Sequence, residues 1–76
     1  MTNYLLTWSH DSTDINFEQL KMIKHVITSN YARIDEVTTT EEGTTFVLSS
    51  PYTLTNLKQK IYARFPELTL KLIEKK

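Results

Sequence analysis

The chain has no cysteine. That excludes a disulfide framework, a thiolate zinc site and cysteine nucleophile chemistry. It has a single glycine, Gly43, so Gly-rich phosphate loops and dinucleotide fingerprints, which need several, are excluded too. Neither sign of charge is in excess: nine basic residues meet nine acidic ones. Phosphate neutralisation supplies most of the affinity of nucleic-acid binders, so binding of that kind would need a local basic patch. No apolar run approaches the roughly 20 residues that span a bilayer, and no signal peptide opens the chain. The expectation is a cytoplasmic protein with no membrane partner.

What is present describes an ordinary small domain. Seventy-six residues, 39% of them hydrophobic and 24% charged, fit a single unit over 1–76 built as one layer pair around one small core. Repeats, linkers and low-complexity tracts are absent. The first strand is read over 3–9, where alternation sets Tyr4, Leu6 and Trp8 on one face and Leu5, Thr7 and Ser9 on the other. A helix follows over 17–29, with Phe17, Leu20, Ile23 and Ile27 on one stripe widened by Val26. Asn16 and Gln19 form a capping-box-like pair, Ile15 and Leu20 a staple, and Asn30 a left-handed terminator.

The second strand spans 31–40. Ala32 and Ile34 share a face there, while Val37 is out of phase with them and signals a bulge. Gly43 turns the chain into a third strand, "TTFVLSS". Pro51 ends that ladder and introduces a second helix over 54–65, capped by Thr53, with Tyr52 and Leu57 as its staple. Leu54, Leu57, Ile61 and Phe65 form its buried stripe, and Pro66 stops it. A last strand alternates through Leu68, Leu70 and Leu72.

Strand, helix, strand, strand, helix, strand is the order of an α+β ferredoxin-like plait, a four-stranded antiparallel sheet with two helices on one face. The first and third strands become central, and both carry apolar residues on both faces. An apolar second face calls for a partner, most simply a second copy, and Tyr4, Leu6, Trp8, Phe46 and Leu48 are the expected interface.

The segments "NYLLTWSHD", "NFEQLKMIKHVI", "TTFVLSSPYTLTNLKQKI" and "LTLKLIE" together resemble the small CRISPR adaptation-subunit family and its compact SinR-like relatives. The resemblance implies this plait, a homodimer and a defence-linked setting in a bacterium or phage. In nuclease members of the family an aspartate ends the first strand, and the dimer brings two of them together on a divalent metal. Here Thr7, Trp8 and Ser9 stand at that tripeptide, and a serine hydroxyl is a poor ligand for a hard cation. The resemblance therefore implies the scaffold more than the chemistry. Longer members add a fifth strand that docks on the partner, and this chain, ending soon after Glu74, is expected to lack it.

His10, Asp11 and Asp14 would serve a metal-dependent endonuclease, or else form the polar turn between strand and helix. Lys60, Arg64 and Lys71 would serve nucleic-acid contact, or else make solvated surface. A base-stacking platform lacks the glycine and basic residues it needs beside Phe46. No nucleophile elbow is present. The sequence thus points to a small, non-catalytic, dimeric interaction or regulatory protein that binds a protein partner, with no cofactor and no metal. Metal-dependent endonuclease and nucleic-acid-binding regulator are the alternatives.

Overall fold

A computed structural model describes residues 1–10 and 17–75. The elements are β1 (Thr2–Ser9), α1 (Phe17–Asn30), β2 (Arg33–Thr40), β3 (Gly43–Ser50), α2 (Leu54–Arg64) and β4 (Leu70–Glu74). The four strands form one sheet in the order β2-β3-β1-β4, every neighbouring pair antiparallel. This is the ferredoxin-like plait.

Each helix boundary has a local cause. At the end of α1 the amides of Tyr31 and Ala32 both donate to the Ile27 carbonyl, at 3.0 and 2.9 Å. Asn30 does not end the helix by turning left-handed, because among the described residues no non-glycine residue has positive φ. Those two amides also explain why β2 starts at Arg33 and not at Tyr31. Thr53 caps α2 as expected: its backbone is extended and its hydroxyl accepts from the Asn56 amide at 3.3 Å. Phe65 leaves the helix at φ −131° and ψ 60°, outside the helical region that a following proline disfavours. The Asn16 cap and the Ile15 staple lie outside the described residues.

The bulge signalled by Val37 is there. The register of β2 against β3 shifts between Ile34 and Glu36, which leaves Asp35 as the extra residue and sets Ile34 and Val37 on the same side. At the other hairpin end Gly43 has φ +153°, and a Cβ there would lie 2.2 Å from the Trp8 carbonyl oxygen. Only glycine fits so close to a neighbouring strand.

The core lies between the sheet and the two helices. Tyr4, Leu6, Trp8, Phe46, Leu48 and Leu72 project from the strands onto Ile23, Val26 and Ile27 of α1 and Leu57, Ile61 and Phe65 of the α2 segment. Phe17 is the exception to the expected stripe. It stands at the first residue of α1 and is 69% exposed, so the packed stripe begins with Leu20. Among the described residues, no helix is long and apolar enough to cross a membrane.

Candidate interaction surface

Tyr4, Leu6, Trp8, Phe46 and Leu48, expected at an interface, are all buried in the core, none more than 5% exposed. They face the helices of their own chain, so a partner cannot reach them. The sequence alternation was right and its assignment was inverted. The two helical stripes have to bury apolar area, and the strand set offering more of it is the one they cover.

The face left open carries the other residues. Strand register places them in rows across the sheet. Glu36, Val47, Leu5 and Ile73 form one row; Thr38, Thr45, Thr7 and Lys71 form the next. Val47 and Leu5 are half-buried by their neighbours, and Ile73 is 43% exposed. The surface is therefore a short apolar bar crossing three strands, with a threonine row beside it. An acid stands at the β2 end of the bar, and a lysine stands at the β4 end of the threonine row.

A polar cluster closes the third row. Asn3 pairs with Ser49, which pairs with Arg33. The Ser49 hydroxyl donates to Asp35 Oδ2 at 2.5 Å and lies 3.0 Å from the Asn3 side-chain oxygen position. One hydroxyl carries one proton, so the bond to the carboxylate takes it, and the Asn3 amide nitrogen is the end that satisfies Ser49. Arg33 Nε meets Asp35 Oδ1 at 2.7 Å. The Ser49 hydroxyl first and Arg33 second hold the Asp35 carboxyl below the usual carboxylate range, with Lys75 adding a smaller pull. The Arg33–Asp35 pair is exposed, a setting where ion pairs contribute little stability.

The two sheet edges differ. On β4 the Leu72 amide donates to the Tyr62 hydroxyl of α2 at 3.1 Å, so the helix satisfies part of that edge. On β2 the protection comes from the bulge and from Arg33, Asp35 and Glu36, devices that discourage strand addition.

Of the chemical candidates His10, Asp11 and Asp14, His10 lies among the described residues. His10 Nε2 lies 2.8 Å from Thr44 Oγ1, and its ring stands 4.5 Å from Trp8. Both contacts lie at the end of β1. Asp11 and Asp14 lie outside the described residues. Among the described residues no group of three or more His, Asp or Glu side chains could hold a metal ion. Ser9 ends β1 with its amide on the Thr69 carbonyl at 3.0 Å.

The basic candidates are split between layers. Lys60 Nζ lies 5.3 Å from the Tyr52 ring centroid and 6.0 Å from that of Tyr31, and this aromatic pair borders an open groove of about 450 Å³. Arg64 lines a second groove, with Met22 and Phe65. Both lysine and arginine belong to the helical layer, whereas Lys71, paired with Thr7, is on the open sheet face. The three do not share one surface. Sequence reading passed over Leu5, Val47, Ile73 and Glu36, although the smaller set in the alternation was the available signal for the open face. Set against known proteins, the chain matches no family model, no curated protein and no solved structure.

Proposed function

We propose that this chain is a small, non-catalytic, dimeric interaction protein with a regulatory role, and that its working surface is the open face of the sheet. The observation that carries this reading is the apolar bar of Val47, Leu5 and Ile73 on a face that no element of the described chain covers. Apolar side chains on neighbouring strands cost hydration free energy while exposed, and a protein surface removes that cost. The flanking threonines suit the same purpose, being β-branched for the strand and able to hydrogen-bond at a rim. A nucleic acid is a poorer occupant, since the face presents one lysine in its two main rows and an acid against it.

The test is a double variant, Leu5→Thr with Val47→Thr, followed by sedimentation velocity and circular dichroism. The wild-type chain is expected to dimerise at micromolar concentration. The variant is expected to keep its fold and sediment as a monomer. A wild-type chain that stays strictly monomeric across that range overturns the dimer.

A further inference from the structure

The open face has an electrical direction that the apolar bar alone does not reveal. Its β2 edge carries Glu36 at the end of one row. Its β4 edge carries Lys71 at the end of the next. Behind them stand Asp35 on β2, already matched by Arg33, and Lys75, which follows β4 and bonds to Asn3 through its amide. One edge is thus acidic at the open face and the other basic.

Resting on the reading above, we propose that the occupant of this face is a second copy of the chain, seated about a two-fold axis that runs parallel to the strands. Two sheets can face each other in an aligned way about either of two in-plane axes. An axis across the strands lays β2 on β2 and β4 on β4, so Glu36 comes near Glu36 of the partner subunit and Lys71 near Lys71 of the partner subunit. An axis along the strands lays β2 of each copy over β4 of the other. Glu36 then stands one row from Lys71 of the partner subunit, a separation of about 7 Å along the strand that two long side chains bridge. Symmetry repeats the contact, so both edges are matched and the assembly closes as a pair instead of growing head to tail. The central strands then place Val47 against Leu5 of the partner subunit.

Area also favours a copy of the same face. Three strands of eight residues and one of five, at about 4.8 Å spacing and about 3.3 Å per residue, give roughly 460 Å² of flat face. Two such faces remove about 900 Å² in total, close to the roughly 1,000 Å² that a specific interface needs. Nearly the whole face must therefore be covered, and an identical outline does that.

The test uses charge reversal and thiol cross-linking, made clean by the absence of native cysteine. Glu36→Lys should weaken the dimer by about tenfold or more, because like charges across an interface are disfavoured. Combining it with Lys71→Glu should restore affinity to within about threefold, since the pair is only inverted. Mixing Thr38→Cys chains with Ile73→Cys chains should give a cross-linked heterodimer with a short thiol linker, while Thr38→Cys alone gives none. A dimer that survives Glu36→Lys unchanged, or in which Thr38→Cys cross-links to itself, overturns the axis and leaves the interaction surface standing. A strict monomer overturns both.

Discussion

Phe46 and Val47 are consecutive residues of one strand, and they belong to different surfaces. Phe46 is fully buried beneath the helices; Val47 stands half-buried on the open face. The covered face is built of large side chains, and its polar atoms are tied down internally. Tyr4 donates its hydroxyl to the Tyr52 carbonyl at 2.6 Å, and Ser50 donates to the Tyr31 carbonyl at 2.7 Å. The open face is built of Leu5, Val47, Ile73 and a row of threonines. The difference teaches that each central strand carries two patterns at period two, one that packs against the helices and one that faces away from them.

The comparison is most exposed to failure at Phe46. Phe46→Ala should cost about 3–5 kcal/mol, the usual range for deleting a buried ring, whereas Val47→Ala should cost at most about 1 kcal/mol in the monomer. Urea unfolding followed by circular dichroism measures both. Equal losses at the two positions would erase the distinction between the faces.

A middle-sized effect is expected where the hairpin enters β3. Gly43→Ala sets a Cβ against the Trp8 carbonyl in a backbone conformation that side chains rarely adopt, at a cost of about 1–3 kcal/mol. The readout is a lowered midpoint in the same denaturation assay. An unchanged midpoint would mean that β1 and β3 can separate there without loss.

The smallest effect lies in the polar row. Asp35 is held below its ordinary carboxyl pKa in the folded chain. Its contribution is therefore present above the unfolded pKa and fades as pH falls through the folded one. Ser49→Ala removes the leading cause of that shift. NMR titration of the Asp35 carboxyl should show its pKa rise toward the ordinary value, and the loss of stability on acidification below about pH 4 should become shallower. A carboxyl that titrates identically in both proteins would remove Ser49 from its environment.

Element order, the Thr53 cap, the proline stop at Phe65 and the bulge were all legible in the sequence, because each depends on neighbours within a few residues. β2 starts two residues later than the side-chain pattern predicts, since the amides of Tyr31 and Ala32 turn back to a helix carbonyl that the pattern does not reveal. The last strand starts at Leu70, two residues later than its alternation predicts, for a similar reason: Leu68 donates its amide to the Phe65 carbonyl at 3.2 Å in a turn. The expected interface residues fall on the covered face for a different cause. Alternation separates Leu6 from Leu5 but does not say which of them the helices will cover. That choice is made by the summed area of each set, a property of the whole sheet.

The bulge at Asp35 has one more consequence. Ile34 and Val37 are three positions apart, an odd number, yet both pack on the core side of the sheet. The extra residue works as a parity corrector. It absorbs an odd count within β2, so the chain before it and the chain after it stay in phase with the same core while their intervening letters change.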